Sequence, residues 1–200
     1  MDRTHTTGAG DSGRSLLSSR NFLIFLIVTV VGVLADQLTK AWVVANVAVH
    51  RDEISLIPGF LSIVHAQNPG AALSLLHDFA YRHVVFGVFT LVAVFVIADM
   101  FRKLRPNEWF MAGTLGLVLS GAVGNAIDRV RQQYVTDFIR VYTEQPTLHD
   151  WLMDTFGTAE WPTFNVADIS LVVGVVFFAL YQLREGRRAT TEAPADVGSA

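Results

Sequence analysis

The chain has 200 residues, of which 52% are hydrophobic and 16% are charged, and its formal net charge is −3. Soluble domains usually carry about 25% charged residues, so this composition indicates a protein that is solvated by lipid. No basic face of the kind that binds nucleic acid is visible, and no nucleic acid is expected as a partner. The lack of cysteine excludes a disulfide framework, a thiolate nucleophile and a Cys-ligated metal site.

The first segment, residues 1–20, is rich in Thr, Ser and Gly and predicts a flexible tail. From Phe22 the chain carries no charge until Asp36, and a bilayer span needs about 20 largely apolar residues. The first span is therefore predicted at residues 21–44. The same stretch, with Ala35 as a cleavage point, also resembles a secretory signal peptide. Because apolar residues resume directly after that point, a retained span is the preferred interpretation.

The segment at residues 46–80 is of mixed polarity and is predicted to lie outside the membrane. Residues 54–64 include β-branched residues in partial alternation, interrupted by Pro58 and Gly59. This pattern predicts two short strands joined by a turn. Residues 68–72 are then predicted to turn into a short apolar segment.

Three further apolar stretches predict spans at residues 81–101, 109–128 and 166–183. A second outer segment, residues 129–163, separates the last two, and residues 186–200 form another flexible tail. The predicted fold class is a membrane all-α protein with a single domain at residues 21–185. It is a four-transmembrane-helix bundle with a small extracytoplasmic β-rich appendage and a second extracytoplasmic loop or helix.

Basic residues orient this bundle, because short cytoplasmic segments carry an excess of Lys and Arg. The N-terminal tail, the loop at residues 102–108 and the segment after the fourth predicted span (Arg184, Arg187 and Arg188) contain three basic residues each. We therefore expect a multi-pass protein with both termini in the cytoplasm. With the spans alternating in direction, Asp36, Asp128 and Asp168 fall at comparable depth near the outer face.

Two helical faces at this depth carry charged or amide groups. Asp36 and Lys40 lie one turn apart, at i and i+4. Asn125, Asp128 and Arg129 share a face, at i, i+3 and i+4, and Asp128 is predicted to be a structural partner of Arg129. Ionisable residues in a span are functional candidates. The alternative for Lys40 is a solvated helix end with a snorkelling side chain.

Asp137 and Asp168 are acids with apolar flanks. Low-dielectric surroundings raise the pKa of a carboxyl, and two carboxyls that share a site cannot easily both ionise. Such a pair can hydrolyse an amide, because the anion takes a proton from water while the neutral acid protonates the carbonyl. The sequence does not show that the two side chains meet. The alternative is a small ion-coupled membrane transporter subunit that uses these acids as ion ligands.

Other kinds of catalytic site have little support in the sequence. The six histidines show no metal-ligand spacing, and neither a Gly-x-Ser-x-Gly elbow nor a phosphate-binding loop is present. We expect no metal and no cofactor.

Five motifs together resemble the bacterial lipoprotein signal peptidase (signal peptidase II) family, over residues 22–185. They are Asp36-Gln-Leu-Thr-Lys40, Asn68-x-Gly-Ala-Ala72, Gly121-Ala-x-Gly-Asn125-x-x-Asp-Arg129, Val135-x-Asp-Phe138 and Phe164-Asn-x-Ala-Asp168. Each motif alone is moderately specific, and the five in this order and topology are very specific.

The resemblance implies an intramembrane aspartic endopeptidase of the bacterial cytoplasmic (inner) membrane, with Asp137 and Asp168 as the catalytic dyad near the outer face. It implies prolipoprotein substrates with a diacylglyceryl-modified cysteine, cleaved just before that cysteine, and membrane lipid as a further partner. It also implies inhibition by the cyclic peptide antibiotic globomycin. One complete set of motifs per chain is compatible with a monomer. The residues expected to bind substrate or support the dyad are Asp36, Lys40, Asn68, Gly70, Asn125, Arg129 and Asn165.

Two features depart from the family pattern. Leu73 replaces the usual aromatic residue and Pro69 occupies the variable position, which alters the predicted lip of the substrate groove. The stretch at residues 140–163 is longer than usual. Within it, Trp151 and Phe156 predict an amphipathic segment that rests on the membrane interface.

Overall fold

The computed structural model of the protein describes residues 20–70 and 82–192. Its elements in chain order are α1 (Arg20–Asn46), β1 (Glu53–Ile57), β2 (Leu61–Asn68), α2 (Arg82–Arg102), α3 (Trp109–Gln132), β3 (Val135–Tyr142), α4 (Pro146–Phe156), β4 (Glu160–Phe164) and α5 (Val166–Glu192). The N-terminal tail, the end of the C-terminal tail, the short apolar segment predicted after residues 68–72 and Leu73 lie outside the described residues.

Four helices in the described part of the chain are long and apolar enough to cross a membrane, namely α1, α2, α3 and α5. They coincide with the predicted spans, except that α3 continues to Gln132 and α5 to Glu192. Large apolar side chains on the outside of the bundle, such as Leu38 and Phe95, are exposed. A soluble monomer rarely exposes apolar surface on this scale. The predicted fold class, a four-helix membrane protein with an appended β-rich part, is confirmed.

The central helix of the bundle is α3, and both α1 and α5 pack closely against it. A Cβ atom added to Gly121 would lie 2.3 Å from the carbonyl oxygen of Ala167, and one added to Gly124 would lie 2.6 Å from Oδ2 of Asp36. Small residues allow membrane helices to approach this closely. As a result, the C-terminal ends of α1 and α3 and the N-terminal end of α5 meet at the level of Asp36.

The four strands form one antiparallel sheet in the order β1-β2-β3-β4. The turn between β1 and β2 contains Gly59 at a φ of 71°, a conformation that glycine adopts without strain. These are the two strands that the sequence predicts. The sequence does not predict β3 and β4, and the segment expected as a loop or helix also enters the sheet, because β3 pairs with β2 on one side and with β4 on the other. Residues 46–80 and 129–163 thus contribute to a single sheet.

The sequence does not predict β3 as a strand because of the way in which β3 is buried. Its first four residues are all buried, so the strand does not alternate between apolar and polar side chains. Alternation is expected only for strands with one solvated face. The polar residues Thr136 and Asp137 are buried because they belong to the cluster described below.

The predicted helix of the second outer segment is present as α4, between β3 and β4. It starts at Pro146 and ends at Phe156, and its C-cap residue Gly157 has a φ of 73°. None of its residues is buried, and Trp151 and Phe156 are 56% and 65% exposed. Contact of this helix with the membrane interface stays a prediction.

The sheet is attached to the bundle through a small apolar cluster. Val43 and Val47 at the end of α1 pack against Phe138 of β3, with Ile63 and Ile139 alongside. Gln133, at a φ of 65°, ends α3 and lets the chain turn directly into β3. Because Asp137 immediately precedes Phe138, this packing holds its strand beside the C-terminal end of α1.

Candidate active site

A cluster of polar side chains lies where the C-terminal ends of α1 and α3 and the N-terminal end of α5 meet β2 and β3. Burial of polar and charged groups is costly unless they are paired, so their partners define the site. The members that are at most 7% exposed are Asp36, Lys40, Asn125, Asp128, Thr136, Asp137 and Asn165.

Asp137 accepts hydrogen bonds from two amide side chains. Asn68 donates to its Oδ2 at 2.9 Å, and Asn165 donates to its Oδ1 at 2.6 Å. Burial raises the pKa of the Asp137 carboxyl from 3.8 to about 6, and the nearby charge of Asp168 acts in the same direction. The hydrogen bonds from Asn68 and Asn165 and the charge of Lys40 oppose this increase without cancelling it.

Asp168 lies in the first turn of α5 and forms a reciprocal cap with Asn165. The backbone N–H of Asp168 donates to Oδ1 of Asn165 at 3.0 Å, and the backbone N–H of Asn165 donates to Oδ2 of Asp168 at 3.1 Å. This arrangement satisfies two backbone donors at the start of the helix. Asp168 is only partly buried, so this acid lies at the edge of the cluster.

Two asparagines connect the acids. The side chain of Asn165 donates to Asp137 and also to Oδ1 of Asn125, at 3.2 Å. The Nδ2 atom of Asn125 donates to Oδ1 of Asp168 at 2.8 Å. The oxygen and nitrogen of each side-chain amide can be told apart, because a neighbouring group that can only donate a hydrogen bond must face the oxygen. For Asn125 this neighbour is the ammonium of Lys40, 3.0 Å from Oδ1.

Lys40 is surrounded by carboxylates. Its Nζ lies 2.9 Å from Asp36 and 3.0 Å from Asp128, and the Lys40 side chain is 4% exposed. The predicted i, i+4 pair on α1 is therefore present. Gln37 also donates to both acids, at 3.1 Å each.

Arg129 lies at the edge of the cluster. Its Nη1 donates to the backbone oxygen of Asn125 at 3.3 Å, and its guanidinium carbon lies 4.4 Å from the ring centroid of Phe86. The same ring packs against Gly70, where a Cβ atom would lie 2.6 Å from Cε2. Gly70 has a φ of 104° and donates its N–H to Oδ1 of Asn68 at 2.9 Å. Arg129, Phe86 and Gly70 form one layer next to Asn68 and the acids.

The structure brings all nine predicted site residues into this region. One expected contact is corrected, because Asp128 forms its ion pair with Lys40 and not with Arg129. Consecutive residues on a helix do not face each other, so Asp128 and Arg129 point in different directions.

Gln37 was missed by the sequence analysis, although a polar residue next to Asp36 in an apolar helix is a usable signal. Among residues 20–70 and 82–192, no group of three or more His, Asp or Glu side chains is placed to hold a metal ion.

Comparisons with known proteins agree with this picture. Lipoprotein signal peptidase from Geobacter metallireducens is 42% identical over 172 residues, which cover 86% of this chain and 98% of the relative. The enzyme of the same name from Geobacter sulfurreducens is 40% identical over 167 residues, which cover 84% of this chain and 96% of the relative.

Solved structures show the same fold. Two chains, each described as a bacterial membrane enzyme determined by the in meso method, have TM-scores of 0.66 and 0.67 and sequence identities of 29% and 27%. They cover 80% and 86% of this chain, and 92% and 93% of their own lengths are matched. The sequence profile of the family described as "Signal peptidase (SPase) II" matches residues 28–184. With most of its length and its whole polar cluster inside that match, the chain belongs to the signal peptidase II family.

Proposed function

We propose that the protein is an intramembrane aspartic endopeptidase that removes the signal peptide from prolipoproteins, with Asp137 and Asp168 as its catalytic pair. The observation that carries this proposal is that Asn165 binds both acids. Its side chain donates to Asp137 at 2.6 Å, and its backbone N–H donates to Asp168 at 3.1 Å. Membership of the signal peptidase II family supports the class of reaction. The scissile bond is the one just before the lipid-modified cysteine.

The proposed reaction uses one ionised and one neutral carboxyl. The ionised member takes a proton from water, and the water oxygen forms a bond to the scissile carbonyl carbon. The neutral member gives its proton to the carbonyl oxygen, so that a neutral tetrahedral diol results. The member that took the proton from water then gives it to the nitrogen as the C–N bond breaks, while a diol hydroxyl returns a proton to the other member, and a carboxylic acid product and a free amine leave. The raised pKa of Asp137 supports this scheme, because it moves protonation of one carboxyl of the pair closer to neutral pH.

The position of the site supports a lipid-modified substrate. Asp137 and Asp168 lie where helix ends meet the sheet, and in the proposal water reaches the acids there while lipid surrounds the helices. In the proposal, the signal helix enters sideways from the bilayer of the bacterial cytoplasmic membrane, and the diacylglyceryl chains stay in hydrocarbon. The distribution of basic residues supports an active site near the outer face, with both termini in the cytoplasm.

The remaining site residues receive supporting roles. We assign Asn68, Asn125 and Asn165 to orienting the acids, and the layer of Arg129, Phe86 and Gly70 to the border of the substrate groove. The proposed site needs no cofactor. All of its residues come from one chain, which supports a monomeric enzyme.

The test is cleavage of a synthetic peptide that carries a signal sequence and a diacylglyceryl-modified cysteine, followed by mass spectrometry. Asp137→Asn and Asp168→Asn are each expected to lower kcat on the order of 10⁴-fold, because each removes a member of a catalytic unit. Asp150→Asn changes an acid whose side chain is 78% exposed, and this matched control is expected to keep the wild-type rate. Globomycin is expected to block cleavage by the wild-type protein.

Each alternative has its own outcome. Normal cleavage by either dyad variant would refute the catalytic assignment. Failure of the wild-type protein to cleave, together with proton movement into sealed vesicles, would favour the ion-coupled transporter.

A further inference from the structure

Each proposed catalytic aspartate is preceded by a residue whose backbone N–H is held by a buried carboxylate. The N–H of Thr136, immediately before Asp137, donates to Oδ2 of Asp128 at 3.0 Å. The N–H of Ala167, immediately before Asp168, donates to Oδ1 of Asp36 at 2.9 Å. The same kind of contact therefore fixes the main chain next to both acids.

One ammonium group connects these two carboxylates. Nζ of Lys40 lies 2.9 Å from Oδ2 of Asp36 and 3.0 Å from Oδ2 of Asp128. It also donates to Oδ1 of Asn125 at 3.0 Å. A lysine ammonium has three donors, and all three are directed at groups that lead to the dyad.

We propose that Lys40 is the positioning residue that sets the separation of the two catalytic aspartates. It acts through Asp128 on the strand that carries Asp137, and through Asp36 on the helix that carries Asp168. Its third contact turns the Nδ2 atom of Asn125 towards Asp168. This inference rests on the proposed function, since it assigns a role in the reaction of that same pair.

The elements involved explain why one side chain has this effect. Lys40 and Asp36 belong to α1, Asp128 belongs to α3, and the two N–H groups belong to β3 and α5. The chain passes directly from α3 into β3, but α1 and α5 are distant from them in sequence, so the ammonium helps to fix the relative positions of these elements. A displacement of about 1 Å at a catalytic centre can reduce the rate about 100-fold. Stability is less sensitive, because a buried ion pair can often be replaced by apolar side chains at little cost.

The test compares a single variant with a charge-neutral one. Lys40→Met removes the ammonium and leaves two buried carboxylates without a cation. The triple variant Asp36→Asn, Lys40→Met and Asp128→Asn carries no charge at these three positions, and each new asparagine keeps an oxygen for its backbone N–H. Rotation of the Gln37 amide lets its oxygen accept from both new amides. The matched control is Lys103→Met, which removes an exposed lysine from another i, i+4 pair.

The readouts are the melting temperature, kcat and KM with the lipid-modified peptide. Lys40→Met is expected to lower both the melting temperature and kcat. The triple variant is expected to fold with a melting temperature near that of the wild type, with kcat still lowered about 100-fold and KM changed less than about threefold. Lys103→Met is expected to match the wild type in all three.

Several results would overturn the proposal. Wild-type kcat in the triple variant would mean that Lys40 only balances buried charge, and so would wild-type kcat in Lys40→Met. A triple variant that does not fold would contradict the claim that neutral oxygens are sufficient to hold the two N–H groups. These outcomes are distinct from failure of the proposed function, in which Asp137→Asn or Asp168→Asn would keep full activity.

Discussion

Asp137 is expected to make the folded protein less stable at neutral pH than at mildly acidic pH. The side chain is 2% exposed, and burial raises its pKa from 3.8 to about 6. Because the pKa is higher in the folded state, the folded protein binds the proton more tightly than the unfolded chain between these two values. The stability that this proton contributes is fully present below the unfolded value and is lost as the pH rises through about 6.

The size of the effect follows from the two pKa values. With 3.8 in the unfolded chain and about 6 in the folded protein, lowering the pH from about 7.5 to about 4.5 increases the unfolding free energy by about 2 kcal/mol. For a chain of this length, about 1 kcal/mol corresponds to about 2–4 °C in Tm. The contribution of Asp137 is therefore about 4–8 °C over this pH range.

The assay compares the wild-type protein with Asp137→Asn, which lacks the titrating group but has nearly the same shape. Thermal unfolding in detergent is followed by tryptophan fluorescence at several pH values. The Tm of the variant minus that of the wild type is expected to be larger at about pH 7.5 than at about pH 4.5, by the amount above. Asp150→Asn, which changes an acid whose side chain is 78% exposed, is the matched control.

A difference that stays constant across this range would refute the raised pKa of Asp137. A difference of the opposite sign would mean that the hydrogen bonds from Asn68 and Asn165 outweigh burial and stabilise the ionised form.

Two further predictions concern packing and topology. Gly121→Ala is expected to reduce stability by about 1–3 kcal/mol through overpacking, because its Cβ would lie 2.3 Å from the Ala167 carbonyl oxygen. Gly113→Ala, with its nearest atom 3.6 Å away, is expected to be neutral or stabilising by up to about 1 kcal/mol, so equal Tm values for the two variants would contradict this packing. The topology can be tested by cysteine labelling, because the chain has no native cysteine. A membrane-impermeant maleimide is expected to label Asp150→Cys in cells with a permeabilised outer membrane. It is expected to label Lys103→Cys only after the inner membrane is opened. The reverse pattern would invert the proposed orientation.

The membrane architecture was predictable from the sequence alone. A helix in lipid satisfies its own backbone hydrogen bonds, so a long apolar run is sufficient to identify a span without knowledge of its neighbours. The candidate site residues were predictable for a different reason. Their motifs resemble those of one family, and the structure brings Asp137, Asp168 and the supporting residues to one end of the bundle.

Only the tertiary structure decided how these residues contact each other. The hydrogen bond between Ala167 and Asp36 joins residues that are 131 positions apart in the chain. The hydrogen bond between Lys40 and Asn125 joins residues that are 85 positions apart. From the local sequence, Asp128 was predicted to be a partner of its neighbour Arg129. In the structure, the packing of the helices places Asp128 beside Lys40, with which it forms an ion pair. Likewise, β3 has no alternating pattern, because its first residues are buried on both faces by elements that are distant in sequence. The sequence therefore determined which segments enter the membrane and which residues are candidates, whereas close packing of α1, α3 and α5 determined their partners.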